Sequence, residues 1–221
     1  THVNNLMDFI LQLVDIFLHI DEYLGDIIRD YGVWTYLLLF IVIFMETGLV
    51  VTPFLPGDSL IFAAGTFAAM GYMEVGLLFA LLFTAAFLGD TANYWIGHTL
   101  GPRAFSGEVP LLKKVLKKEY LDKTHAFYEK HGGKTIILAR FVPIVRTFAP
   151  FVAGVGAMTY KKFISYNIIG GLAWVAIFLF LGFFFGNLPF VQEHFEFVVI
   201  AIVLISVLPA VVEYFKERAR K

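Results

Sequence analysis

The chain has 221 residues, 59% of them hydrophobic, with a mean hydropathy of +0.77, far above the roughly 45–50% apolar content of soluble domains; it is an integral membrane protein by composition. Its formal net charge of −1 and its lack of cysteine exclude a thiol nucleophile, a disulfide framework and a Cys-type zinc site. The near-neutral sum hides an asymmetry, because only Arg29 of the 17 Lys and Arg falls in the first 100 residues.

Residues 6–30 keep apolar groups at helical spacing, interrupted by Asp8, Asp15, Asp21, Asp26 and Asp30. This reads as an interfacial amphipathic helix more than a span. The N-terminus shows neither a basic region nor a small-residue cleavage site, so no cleaved signal is expected. From Trp34 an apolar helix carries Glu46 near its far end and meets Pro53, Pro56 and Gly57, which break it. The next apolar piece, residues 59–70, is too short to cross a bilayer core that needs about 20 helical residues. Residues 34–70 are therefore predicted to enter and return as a first re-entrant hairpin.

Residues 75–100 form a plausible full span with Asp90, Asn93 and His98 in its second half. The polar segment 101–134 holds eight of the 17 basic residues, Lys113, Lys114, Lys117 and Lys118 among them, and is predicted to be cytoplasmic by the positive-inside rule. Residues 135–158 are apolar but interrupted by Pro143, Pro150 and Gly154, with basic residues on both flanks; they predict a second re-entrant hairpin. Residues 163–186 are expected to cross outward, and 197–212 to return to a basic, cytoplasmic C-terminus. The predicted architecture is all-α: an inverted repeat of two broken-helix hairpins, each followed by a span, with the breaks meeting near the midplane.

Ionisable groups inside such segments need a reason, since each costs roughly 2.5–3.5 kcal/mol at a helix centre in lipid. Glu46 and Asp58 flank the first proline break, and Arg140 and Arg146 flank Pro143 in the second. A hairpin tip can bring both acids to one cavity, with Gly57 baring backbone amides to it. Asp58 is also a good N-cap for the helix that follows. The guanidinium fork suits bidentate recognition of phosphate or carboxylate, so the arginines either bind an anion or neutralise Glu46, Asp58 or Asp90, and can alternate between the two. Asp90 and Asn93 are candidate supporting groups, as are Pro56, Gly57 and Pro143 through the breaks. His125 and His131 fit no metal motif and suit a solvated helix ending at Gly132. No metal, cofactor or nucleic-acid partner is expected, and no P-loop, nucleophile elbow, His-Glu-x-x-His or dinucleotide fingerprint occurs; the chain is not expected to be an enzyme.

Glu46-Thr47-Gly48, Pro53-Phe54-Leu55-Pro56-Gly57-Asp58-Ser59, Gly89-Asp90 with Tyr94 and Gly97, Phe127 to Gly133, Arg140 to Pro150, Ala153-Gly154, Asn167 and Trp174 together resemble the DedA family of the SNARE-associated, or VTT, superfamily. The likeness covers nearly the whole chain. It implies a bacterial inner-membrane protein with two re-entrant hairpins, linked to transport driven by the proton motive force and to envelope maintenance. Some members are implicated in returning undecaprenyl phosphate across the membrane and others in moving phospholipids. By this resemblance the essential acids fall on Glu46 and Asp58 and the essential arginines on Arg140 and Arg146. The leading expectation is a proton-coupled lipid transporter: the arginines hold a phosphate headgroup and the acids carry protons, so lipids and protons are its partners. A proton/cation or drug antiporter and a non-transporting scaffold are the alternatives. Lipid identity, direction, stoichiometry and oligomeric state, a homo-oligomer included, are not encoded in these motifs.

Overall fold

Helices account for the architecture, and no strand occurs among the described residues, which in this computed structural model are 20–49, 57–105, 118–194, 197, 198 and 201. In chain order they form α1 (Ile20–Gly48), α2 (Gly57–Ala69), α3 (Val75–Phe105), α4 (Lys118–His131), α5 (Thr135–Ala139), α6 (Pro143–Val152), α7 (Tyr160–Gly186) and α8 (Pro189–Glu193). Three stretches are long and apolar enough to cross a membrane: Asp30–Gly48, Val75–Leu100 and Tyr160–Gly186. Their outward faces carry exposed large apolar side chains, such as Trp34, Leu38, Leu181 and Phe184, as lipid contact requires.

Local chemistry sets the boundaries. Glu74 caps α3: its Oε1 accepts from the Gly76 amide at 2.9 Å and its Oε2 from that of Leu77. The Tyr36 hydroxyl, in α1, accepts the Glu74 amide at 2.7 Å, which ties the two helices at this end. α4 ends at His131 on Gly132, whose φ of 57° is the left-handed conformation that closes a helix. In the second broken segment, α5 stops at Ala139, Val142 is extended, and α6 begins on Pro143, where a missing amide costs nothing. α6 contains Pro150, which cannot donate to the Arg146 carbonyl, and then loosens into a π turn, Ala153–Ala157, closed by Gly156 at φ 142°.

Several predicted boundaries shift. The predicted 6–30 helix falls mostly outside the described residues, but from Ile20 onward it runs into α1 with only a break at Gly32 (φ 18°, ψ −91°), so no loop separates it from the segment beginning at Trp34. The span predicted at 75–100 extends to Phe105, and that predicted at 163–186 starts at Tyr160. Of the 101–134 segment, residues 106–117 lie outside the described residues, and so does most of 197–212. The stretch after α7 contains the short α8.

The arms of each broken segment dock on different partners. α1 lies along α3, whereas α2 lies along α7; α5 packs on α7, whereas α6 and the π turn pack on α3. α1 and α2 meet only marginally, so they do not form a simple two-helix hairpin. Both crossings of a second arm over a distant span are made by paired glycines. A side chain at Gly65 would strike the Leu179 carbonyl, and one at Gly182 the Phe62 carbonyl; likewise Gly97 faces the Phe151 carbonyl and Gly154 that of Tyr94. In each pair, each glycine abuts the carbonyl three residues before the other. Small residues give such close backbone approach in membranes, where packing rather than water expulsion holds helices together. Ile43, Ile61, Leu78, Leu82, Trp174 and Leu179 fill one core and Tyr94, Ile136, Val145, Ala149 and Phe163 another; the charged residues lie between.

Candidate functional site

Where α1 ends and α2 begins, Glu46 and Asp58 face the same guanidinium. Arg146, in the first turn of α6, donates Nη1 to Asp58 Oδ1 at 2.6 Å and Nη2 to Glu46 Oε1. Two acids 12 positions apart thus meet on one group. Glu46 is 3% exposed, whereas the Asp58 side chain is 35% exposed; the first is sealed in and the second is not. The Gly57 backbone lies directly against Glu46 Oε2, so closely that a Cβ there would overlap the carboxylate. Gly57 is required as the wall behind Glu46.

Arg140, at the end of α5, takes a different acid. Its Nη2 donates to Asp90 Oδ2 on α3 and, at 2.6 Å, to Asn167 Oδ1 on α7. Asn167 is itself oriented by donating Nδ2 to the Phe87 carbonyl at 3.1 Å. Asp90 is thus the ion-pair partner of Arg140. The side chain of Arg140 runs over Gly170 and Gly171, whose lack of side chains makes the trough. Trp174 completes that stripe of α7: the Arg140 and Arg146 Cζ atoms lie 5.7 and 5.6 Å from its ring centroid, within cation–π range, and its Nε1–H donates to Asp58 Oδ1 at 2.8 Å.

Asn93, fully buried, donates Nδ2 both to the Thr47 carbonyl at 3.2 Å and to the Thr147 carbonyl at 2.9 Å. It staples the residue after Glu46 to the residue after Arg146. Pro143 supplies the first residue of α6 and so sets the direction of the helix that carries Arg146. Pro56 lies outside the described residues. Asn167 and Trp174 carried the family resemblance without a role; an Asn inside the apolar 163–186 run was the available signal, since a polar group within a span needs a partner.

Three carboxylates, Glu46, Asp58 and Asp90, thus share two guanidiniums. Around a narrow cavity stand Glu46, Thr47, Asp90, Arg140, Arg146, Thr147 and Trp174, with about 10 Å³ available to the centre of a water, room for roughly one molecule. Glu46 Oε2, Asn93 Oδ1 and Arg140 Nε are buried without a hydrogen-bond partner. As it stands the site is closed by its own salt bridges. An anion that takes both Nη groups of Arg146 has to displace Glu46 and Asp58.

The chain matches the VTT domain family over residues 55–184. It is 51% identical to Protein DedA of Escherichia coli (strain K12) over 214 residues, 96% of each chain. It is 44% identical to an uncharacterized membrane protein of Mycobacterium tuberculosis over 176 residues, 79% of this chain and 76% of the relative. It is also 31% identical to the inner membrane protein YghB of Escherichia coli over 163 residues, 72% and 71% of the two chains. No solved structure matches it. With the described helices and the charged residues of both broken segments in place, the chain is a multi-pass membrane protein belonging to the DedA family of VTT-domain proteins.

Proposed function

We propose that the protein is a carrier for a phosphate-bearing membrane lipid, undecaprenyl phosphate or a phospholipid, driven by protons in the bacterial inner membrane. The observation that carries this reading is that Arg146, planar and bidentate, is held by exchangeable carboxylates at the point where two broken helices meet. A phosphate is a rival ligand of the same charge and geometry. When it takes the fork, the released acid loses its counter-charge in a nearly dry site and is neutralised most simply by a proton. Headgroup entry and proton uptake are then one event, with the acyl or isoprenoid tail left in the bilayer.

The inverted repeat belongs to the same reading. Its support is the exchange of arms: in each half the first arm packs on its own span and the second on the other half's span, with matching glycine crossings. Rocking one half against the other about those crossings would expose the site alternately to the two sides, with a cytoplasmic C-terminus following from the basic segments. Purified protein in vesicles containing a fluorescent polyprenyl or diacyl phosphate is the test. An imposed pH gradient should speed lipid transfer between leaflets well above protein-free vesicles; equal rates would overturn the proposal. The excess of three buried or half-buried acids over two arginines favours a second reading, a proton/cation antiporter, which predicts cation flux without lipid movement in the same vesicles.

A further inference from the structure

The two acids on Arg146 are not equivalent, and the difference lies in Trp174. Asp58 Oδ1 has two donors on different helices: Arg146 Nη1 from α6 at 2.6 Å and Trp174 Nε1–H from α7 at 2.8 Å. Glu46 has one side-chain donor, Arg146 Nη2, and its other oxygen is buried without a partner against the Gly57 backbone. If an anion claims the Arg146 fork, Asp58 keeps a side-chain hydrogen bond and its partial exposure, while Glu46 keeps only the Gly57 backbone beside it. An unpaired carboxylate sealed from water is the costlier of the two.

We propose that Trp174 is the positioning residue that holds Asp58 ionised when an anion occupies Arg146, leaving Glu46 as the acid that takes up the accompanying proton. The inference rests on the phosphate-lipid reading and divides between two residues the proton role given to both. The charged groups around Glu46 are consistent with it. Arg146 faces it from α6, Asp58 from α2, and Asp90 of α3 and Arg140 after α5 share its cavity. Asp90 stays paired with Arg140, which Asn167 braces independently, so that pair need not change when Arg146 does. The proton comes from a hydronium ion on the aqueous side: one O–H bond breaks there, leaving water, and one forms on Glu46.

Two measurements test this on the full chain in nanodiscs. In a Trp34→Phe, Trp95→Phe background the only indole N–H signal is that of Trp174. It should keep its low-field position when phosphatidate is added to phosphatidylcholine discs at fixed pH, and should move upfield in Asp58→Asn, which removes the anionic acceptor. Proton uptake on phosphatidate addition, read in weak buffer, should be lost in Glu46→Gln and persist in Asp58→Asn. Trp174→Phe keeps a ring against the arginines but loses the N–H; uptake per bound lipid should then rise as Asp58 joins Glu46, while binding weakens by about tenfold, the scale of one charge-assisted hydrogen bond. An indole signal identical in wild type and Asp58→Asn, or uptake abolished by Asp58→Asn and retained in Glu46→Gln, overturns the assignment. Wild-type protein that binds no phosphatidate would sink the lipid reading instead, and the indole comparison between wild type and Asp58→Asn would still decide whether Trp174 holds the acid.

Discussion

Arg140 is held by the long helices and Arg146 by the ends of the broken ones. Asp90 on α3 and Asn167 on α7 grip Arg140, and the stripe Asn167, Gly170, Gly171, Trp174 beds its stem; only 4% of it is exposed. Arg146, with 13% of its side chain exposed, is bound by Glu46 and Asp58 at the first break. The chemistry of the pairs is the same and their mechanical setting is not. Arg140 keeps Asn167 of its own half when the halves part, whereas both acids on Arg146 belong to the other half and must be released together. The site thus combines a fixed charge and an exchangeable one, six positions apart in the chain.

The largest way to break this comparison is at the fixed arginine. Arg140→Ala leaves Asp90 buried without its counter-charge, and losing one partner of a buried pair costs about 3–5 kcal/mol. Thermal unfolding in detergent should report a large loss of stability, and Arg140→Leu combined with Asp90→Leu should recover most of it, since an apolar pair of similar volume is often neutral there. If Arg140→Ala were as stable as wild type, the bracing role would be wrong.

At the exchangeable arginine the effect should fall on activity. Arg146→Lys retains the charge and can still reach one acid, but an ammonium cannot bridge Glu46 and Asp58 as the fork does. Stability should change by no more than about 1.5 kcal/mol, the scale of one net hydrogen bond, while proton-driven lipid transfer falls by about tenfold or more. Full complementation of a loss-of-function strain by Arg146→Lys would replace planar recognition with a general positive potential.

These contrasts also mark how far the sequence reaches. Glu46, Asp58, Arg140 and Arg146 are legible because a charge in an apolar segment violates the solvent it lies in, and a proline beside it announces a break. Which acid meets which arginine is not legible: Glu46, Asp58 and Asp90 are all open to either, and only the docking of α5 on α7, which brings Arg140 to Asp90 of α3, decides it. The boundary at residue 34 misleads because a glycine kink leaves the same polarity pattern as a loop. Trp174 is hidden for the opposite reason, since a tryptophan in an aromatic-rich span looks like lipid-facing packing, and its N–H finds Asp58 only after α2 has crossed α7. That the second arms cross onto distant spans is not legible either: Gly65 meets Gly182 and Gly97 meets Gly154 only once the helices are in place.

The crossings supply a smaller effect. A methyl added at Gly97 would meet the Phe151 carbonyl and one at Gly182 the Phe62 carbonyl, so Gly97→Ala and Gly182→Ala should each destabilise by about 1–3 kcal/mol, as overpacking does. Because the two crossings are built alike, the losses should be similar, as measured by unfolding temperature. A large cost at one and none at the other would mean that only one crossing bears load, and the symmetric rocking motion would lose its support.

The least disruptive probe asks only which side each half starts from. The chain contains no cysteine, so single Cys substitutions report unambiguously. Tyr72, in the turn between α2 and α3, and Glu129, exposed near the end of α4, lie toward opposite ends of the α3 span if the basic segment faces the cytoplasm. Gly71 would be a poorer choice, since its φ of 83° strains any side chain. Tyr72→Cys should react with an impermeant thiol reagent from outside intact cells, and Glu129→Cys only after the membrane is opened, with activity close to wild type in both. Labelling of both from the same side would leave the arm exchange and the ion pairs standing, but it would remove the opposite orientation of the two halves that makes alternate exposure of Arg146 follow from the fold.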